Sequence, residues 1–132
     1  MSDTMQFDLV SPERSLHSAQ VTKVQIHGEE GEMTVMPQHA ATLTLLRPGM
    51  LTVFEGTEAR DYVVTGGFAE IGPEGVSVLA EQASLRSDVT TDWIDRVVDA
   101  AEKAALDAND DNRITVNQRV NHARFLKTQL GL

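Results

Sequence analysis

The segment 107–118 holds the best-spaced oxygen-bearing side chains in this sequence, and calcium binding is the chemistry that such a set can perform. The first, third and fifth positions of the EF-hand loop pattern are filled by Asp107, Asn109 and Asp111. The pattern then fails, because Asn112 stands where glycine is usual and Gln118 stands where a glutamate closes the site. A calcium-responsive binding module therefore remains an alternative function, and the competing interpretation is an Asx-rich turn that caps two helices.

Patterns for catalysis, metal binding and phosphate binding are weak elsewhere. The four histidines are His17, His27, His39 and His122. None of them pairs at the His-x-His or His-x₃-His spacing that presents a metal-binding face, so we expect separate surface or loop side chains and no metal. Gly66-Gly67 lacks both Gly-x-Gly-x-x-Gly and a Walker lysine, which favours a strand bulge or a tight strand crossing. A small β-sandwich enzyme is the second alternative, but nucleophile and paired-carboxylate signatures are missing.

The composition narrows the possible partners. The 132 residues carry 11 basic and 20 acidic side chains, a formal net charge of −9, so nucleic-acid phosphates and anionic membrane surfaces repel the chain. There is no cysteine, which removes disulfides and thiolate metal sites. No apolar run approaches the roughly 20 residues that a membrane-spanning helix needs. We therefore expect a cytosolic chain without a cofactor, which reaches a membrane only through partner proteins.

The elements that must position these residues change character along the chain. Apolar and polar residues alternate with a period of two in segments such as 5–9, 23–26 and 76–78, which is typical of half-buried strands. Turn sequences such as Arg47-Pro48-Gly49 and Gly72-Pro73-Glu74-Gly75 separate the segments. Frequent turns between short strands predict a β-sandwich domain over residues 1–86.

After residue 85 the apolar residues take a helical period. An alanine-rich stripe runs through 94–108, and 116–130 repeats the same spacing after the polar break 107–112. We predict Thr91 as the N-cap of the first helix, followed by Asp92, whose carboxylate suits the helix dipole. Residues 87–132 are therefore predicted to form an antiparallel α-helical hairpin. The predicted fold class is α+β, with the sandwich and the hairpin segregated.

The charges are segregated as well. Residues 112–132 hold four bases and no acid, whereas residues 81–111 hold nine acids and three bases. The four bases are Arg113, Arg119, Arg124 and Lys127. On so acidic a protein, this basic tail favours contact with an acidic partner surface over an ordinary solvated face. When the hairpin is folded, the same bases could instead neutralise Asp95, Asp99 and Glu102 on the first helix.

Several short phrases of the β half, taken in order, resemble one family. They are Leu9-Val-Ser-Pro-Glu-Arg14, Gly28-Glu-Glu-Gly-Glu32, Met36-Pro-Gln-His-Ala40, Leu46-Arg-Pro-Gly-Met50, Gly66-Gly-Phe-Ala-Glu70 and Val76-Ser-Val-Leu-Ala80. Their order and spacing are similar to those of the epsilon subunits of bacterial F-type ATP synthases. The sandwich-then-hairpin layout agrees, so the resemblance spans nearly the whole chain.

The resemblance implies a central-stalk subunit of a proton-translocating ATP synthase, which is not an enzyme by itself. The sandwich would dock on the gamma subunit and on the polar loops of the c-ring. The hairpin would fold against the sandwich or extend along gamma, and the extended form would inhibit ATP hydrolysis at the alpha/beta catalytic head. Such a subunit lies peripherally at the cytoplasmic face of the inner membrane.

The resemblance also implies sites. The expected contacts with the c-ring and gamma are Glu29, Glu30, Gly31, Glu32, Pro37 and His39, and the alternative for the acidic cluster 29–32 is a solvated hairpin tip. The expected inhibitory contacts of the extended hairpin with the head are the four bases of the tail: Arg113, Arg119, Arg124 and Lys127. The family loop Pro-Gly-His-Ala-Pro reads Pro-Gln-His-Ala-Ala at 37–41, so its backbone is expected to differ. Asp95 matches the ATP-binding motif Ile-Asp-x-x-Arg-Ala, but Val98 replaces its arginine, so no ATP binding is expected.

Overall fold

The computed structural model describes residues 3–28 and 31–132, and within these residues it contains ten strands and two α-helices. The strands are β1 (Met5–Val10), β2 (Ser15–Val21), β3 (Lys23–Gly28), β4 (Gly31–Val35), β5 (Thr42–Leu46), β6 (Gly49–Glu55), β7 (Glu58–Val64), β8 (Gly67–Gly72), β9 (Gly75–Ala80) and β10 (Ala83–Leu85). A 3₁₀ turn, Arg86–Asp88, leads to helices α1 (Thr91–Leu106) and α2 (Arg113–Gln129). The predicted fold class, a β-sandwich followed by a helical hairpin, is confirmed.

The chain divides into two compact units, Met1–Arg86 and Ser87–Leu132. In the first unit the hydrogen-bonded strand order is β10-β7-β6-β3-β5-β8-β9-β1-β2, and β4 pairs with β3 beside this path. The described neighbours run antiparallel except for β1 and β9, which are parallel. The long path folds onto itself, so that its two ends approach each other where β2 packs against β6.

The core of the first unit follows from the period-two alternation of the sequence. Every second residue of β1 is inside, so that Met5, Phe7 and Leu9 are all buried. Leu51 of β6 and Tyr62 of β7 pair in register and are buried as well. Burial of one such side chain contributes roughly 1.5–3 kcal/mol, which explains why the strand register is strongly specified.

Gly66 and Gly67 are predicted to form a strand bulge or a tight strand crossing; in the structure Gly67 opens β8 and pairs in regular antiparallel register with Ala80 of β9. The φ angles of Gly66 and Gly67 are 151° and 119°, values that other residues rarely adopt. A Cβ atom on Gly67 would overlap the Leu79 carbonyl oxygen of the neighbouring strand. Glycine at this position therefore allows the backbones of β8 and β9 to approach each other closely.

The hairpin begins one residue earlier than predicted, because the N-cap is Thr90 and not Thr91. The Thr90 backbone is extended, and its side-chain oxygen accepts a hydrogen bond of 3.1 Å from the Trp93 amide. Each helix buries one stripe of residues, and both stripes are built from small and medium-sized apolar side chains. The buried residues are Ile94, Val97 and Ala101 of α1 and Val120, Ala123 and Leu126 of α2.

Candidate interaction surfaces

The β3–β4 hairpin ends in the first group of predicted interface residues. Glu29 and Glu30 lie outside the described residues. Gly31 opens β4 with a φ of 123° and pairs with Gly28, so a glycine is required at this turn. Glu32 is exposed and pairs in register with His27 on β3. An acidic side chain is thus presented to solvent directly beside an imidazole at this end of the sandwich.

The loop 36–41 carries the second group, Pro37 and His39, and both side chains are half-buried. The His39 Nδ1–H donates to the Ala40 carbonyl over 2.7 Å. Gln38 has a φ of 70°, the left-handed conformation that glycine adopts freely, and its amide donates to the Pro73 carbonyl over 3.2 Å. Although the family glycine is missing, residue 38 still adopts a glycine-like backbone conformation.

The structure separates these two predicted groups. Gly28 and Gly31, which pair with each other at the end of the β3–β4 ladder, lie near the end of β5, where Gly28 pairs with Leu46. The loop 36–41 is fastened instead to the β8–β9 turn, beside the other end of β5, where Thr42 pairs with Ile71. The five residues of β4 lie between them and span roughly 13 Å at the rise of a strand. The predicted interface is therefore two sites at opposite ends of the strands.

An apolar surface that sequence reasoning missed lies on the outer face of β5, β8, β9 and β1. The strand registers place Leu45 beside Phe68, Phe68 beside Leu79, and Leu79 beside Val10. These four residues, with Leu43 two positions from Leu45, are here called the outward row. Their exposed fractions are 53% for Leu45, 36% for Phe68, 43% for Leu79, 36% for Val10 and 66% for Leu43. A contiguous apolar patch of this kind marks an interaction surface.

A signal for the outward row is present in the sequence. Each of the strands β1, β5, β8 and β9 contains two adjacent apolar residues: Leu9-Val10, Leu45-Leu46, Phe68-Ala69 and Val78-Leu79. Successive side chains in a strand point to opposite faces, so one member of each pair must face outward. The structure buries Leu9, Leu46, Ala69 and Val78 and exposes the partner of each. Because the four strands are neighbours, the outward members form one row.

The expectation that the histidines are separate surface or loop residues is wrong for His17. This β2 side chain is 8% exposed, and its Nδ1 lies 2.8 Å from the Tyr62 hydroxyl. Its Nε2 lies 2.5 Å from a Glu55 carboxylate oxygen, and its ring packs edge-on against Phe7 and Tyr62. Burial of an imidazole is tolerated here because both ring nitrogens have partners.

The polar chain continues to the surface of β7. A hydrogen bond with the Tyr62 hydroxyl raises the pKa of Arg60 above its usual value, and the nearby carboxylates of Glu55 and Glu58 act in the same direction. The chain of contacts links β2 to β6 and β7, strands that are not its neighbours in the hydrogen-bonded order. His17 therefore ties together the two ends of the folded strand path.

In the turn of the helical hairpin, asparagine side chains accept hydrogen bonds from backbone amides of the same turn. The Asn109 Oδ1 accepts from the amides of Asp111 and Asn112, and the Asn112 Oδ1 accepts from the Asn109 amide. Asp107 is the C-cap of α1. Within residues 3–28 and 31–132, no group of three or more His, Cys, Asp or Glu side chains is placed to hold a metal. The arrangement is that of the Asx-rich turn, and nothing in it supports the calcium alternative.

Three of the four predicted inhibitory bases form ion pairs inside the hairpin. The Lys127 Nζ lies 2.6 Å from an Asp95 carboxylate oxygen, and an Arg124 guanidinium nitrogen lies 3.3 Å from Glu102. Arg113 pairs with Asp110 in the turn at 2.9 Å, and Arg119 also has an interaction partner. Asp95, the residue that matches the ATP-binding motif, is therefore held by a lysine of the facing helix.

In the part of the chain that the structure describes, neither helix has the length and apolar character of a membrane span. The sequence from 4 to 86 matches the family model described as the beta-sandwich domain of the ATP synthase delta/epsilon chain. The chain is 54% identical over 112 residues to the ATP synthase epsilon chain of a Ruegeria species, covering 85% of this chain and 82% of that relative. It is 44% identical over 132 residues to the ATP synthase epsilon chain of Fuscovulum blasticum, covering 99% of both chains.

Among solved structures, the fold is similar to a chain of the Euglena gracilis mitochondrial ATP synthase, in a structure of its OSCP, F1 and c-ring portions. The TM-score is 0.72 at 23% sequence identity, with 98% of this chain and 83% of that chain covered. The likeness supports the fold, and the two bacterial relatives support the family over the sandwich and the hairpin together. On these matches, the chain belongs to the ATP synthase epsilon chain family.

Proposed function

We propose that this chain is a non-catalytic central-stalk subunit of a proton-translocating F-type ATP synthase, which couples the rotor to the catalytic head and restrains ATP hydrolysis. The observation that carries the proposal is the match to an epsilon chain over 99% of both chains, which includes the hairpin as well as the sandwich. The subunit acts at the cytoplasmic face of the inner membrane and is held there by its partners.

The outward row is the proposed docking surface for the gamma subunit. A central stalk must stay assembled during rotation, so its subunits need a permanent interface. The fully buried centre of such an interface is more apolar than ordinary protein surface. Leu43, Leu45 and Leu79 expose 66%, 53% and 43% of their surface area to water. Covering this apolar area with a partner is energetically favourable.

The two polar sites are the proposed contacts beside that interface. Glu32, with Gly31, Glu29 and Glu30, would face the c-ring loops, where charge complementarity sets orientation more than affinity. Pro37 and His39 lie at the other end of β4 and would contact gamma. A partner that bridged both sites would have to extend along the strand.

The hairpin is the proposed brake on hydrolysis. Arg124 and Lys127 are paired with acids of α1 in this structure, and they would exchange those acids for acidic surface on the alpha/beta head when the helices separate. Arg113 and Arg119 would join them in the extended form. Two alternative sets of partners make a two-state element, whose balance a few kcal/mol can shift.

Affinity purification tests the proposal. An affinity-tagged chain expressed in its native cell should recover the other ATP synthase subunits. A variant with Leu45→Ser, Phe68→Ser and Leu79→Ser should recover far less, because loss of apolar anchors weakens binding about 10- to 100-fold. Leu106→Ser is the matched control, since Leu106 is 85% exposed on α1 and lies outside the outward row. Full recovery by the triple variant would show that the outward row is not part of the interface. If the unaltered chain failed to recover the other subunits, the proposed function would be overturned.

A further inference from the structure

One ion pair joins the two helices at the open end of the hairpin. Asp95 lies in the second turn of α1, and Lys127 lies in the last turn of α2, so the pair is far from the connecting turn 107–112. The Lys127 Nζ lies 2.6 Å from the Asp95 Oδ1. The two side chains are 35% and 43% exposed, so water and salt reach the pair.

The apolar contact between α1 and α2, which this ion pair supplements, is small. Each helix buries three residues, and one of the three is an alanine in both cases, Ala101 in α1 and Ala123 in α2. Alanine brings little apolar area to the contact. The remaining surface of α2 is mostly polar, and a polar helix of 17 residues is marginal in water when it stands alone. Small contributions at the open end therefore decide whether α2 stays packed.

The other ion pairs of the hairpin act differently. Arg124 and Glu102 also join the two helices, but at 3.3 Å and with 60% of the arginine side chain exposed. Arg113 and Asp110 are three residues apart in sequence and lie in the turn, so their pair at 2.9 Å does not connect α1 to α2. This local pair is a natural control for a charge effect that does not cross the hairpin.

We propose that the Asp95–Lys127 pair is an ionic latch, whose release begins the separation of α2 from α1 and makes the hairpin sensitive to ionic strength. Breaking the pair frees the end of α2 while leaving the turn intact. It also frees the Lys127 ammonium for another acidic partner. The consequence for hydrolysis rests on the proposed function, whereas the latch itself is a property of the isolated chain.

Hydrogen exchange of the full-length chain, measured by mass spectrometry on peptides from 120–132, tests the latch. Asp95→Asn removes the carboxylate charge from α1 without altering α2. We expect the α2 amides to exchange about two- to fivefold faster, the size of effect that a half-exposed ion pair supports. Arg113→Ala should leave exchange in 120–132 unchanged. Raising the salt from about 0.05 M to about 0.5 M should speed exchange in the unaltered chain and have little effect in Asp95→Asn.

A charge-reversal cycle separates the interaction between the two side chains from the interaction of each charge with its own helix dipole. Asp95→Lys and Lys127→Asp each place a charge unfavourably at a helix end, and the double variant keeps both of those costs while restoring an opposite-charge pair. The double variant should therefore exchange more slowly than the product of the two single effects predicts. Effects that simply multiply, or an Asp95→Asn variant that exchanges like Arg113→Ala, would overturn the latch.

Measuring ATP hydrolysis by the assembled enzyme distinguishes the latch from the proposed brake. Asp95→Asn leaves the bases of α2 in place and favours the separated helices, so ATP hydrolysis should fall by up to the same two- to fivefold factor. Faster exchange with unchanged hydrolysis would support the latch and overturn the brake. Unchanged exchange would overturn the latch, whatever the hydrolysis rate.

Discussion

Replacing His17 should cost the first unit more stability than replacing any histidine at its surface. The His17→Ala variant loses a buried ring that packs against Phe7 and Tyr62, and it loses the contacts of both ring nitrogens. A buried hydrogen bond contributes about 1 kcal/mol and one to a charged group about 2 kcal/mol. The cavity left by the ring adds a further term, so we expect a total of about 3–4 kcal/mol.

Thermal unfolding followed by circular dichroism measures this cost. For a domain of this size, 1 kcal/mol lowers the Tm by roughly 4–8 °C, so His17→Ala should lower it by roughly 15–25 °C. Tyr62→Phe removes only the hydroxyl that faces His17, and it should cost about 1–2 kcal/mol. His39→Ala is the matched control in the loop 36–41 and should change stability by less than about 0.5 kcal/mol.

A double-mutant cycle shows where the energy lies. His17→Ala and Tyr62→Phe remove the same hydrogen bond, so together they should cost about 0.5–2 kcal/mol less than the sum of their separate effects. If His17→Ala cost no more than His39→Ala, the reasoning that His17 ties β2 to β6 and β7 would be refuted. A large His17→Ala effect with strict additivity would place the energy in ring packing.

Three further outcomes follow from the structure. Gly67→Ala should cost about 2–4 kcal/mol in urea unfolding, because the added Cβ overlaps the Leu79 carbonyl, whereas Gly72→Ala meets nothing within 4 Å and should cost less than about 1 kcal/mol. Deleting 88–132 should leave the sandwich with cooperative unfolding, since its core is built from its own strands; a molten fragment would contradict this. Calorimetry with magnesium-ATP should detect no micromolar binding, because Val98 offers no donor to phosphate; clear binding would show that other bases replace the missing arginine.

The fold could be predicted because its strands and helices are encoded by local patterns. The alternation in 5–9 and the glycine and proline turns are short-range features, and the helical stripe after residue 85 is another. The predicted N-cap is wrong by one residue because Thr90 and Thr91 both carry a hydroxyl. Only the backbone conformation shows that Thr90 stays extended while Thr91 enters the helix.

The sites were harder to predict because they depend on which strands become neighbours. His17 meets Glu55 and Tyr62, which are 38 and 45 residues away in sequence, and no periodicity connects them. The outward row depends on four strands standing side by side in the order β5-β8-β9-β1. Adjacent apolar pairs in the sequence predict that some apolar side chains face outward, but strand pairing decides that they form one patch.

The separation of the interface residues bears on how such a subunit could couple two partners. Glu32 and Pro37 stand at opposite ends of β4, and β4 is hydrogen-bonded along its length to β3. β3 in turn pairs with β6, whose Leu51 and Val53 lie in the core. A force applied at the tip is therefore passed through paired strands backed by close-packed side chains, which deform little. Under the proposed function, the rigid β-domain transmits the load between c-ring and gamma, and the thinly packed hairpin is left free to change state.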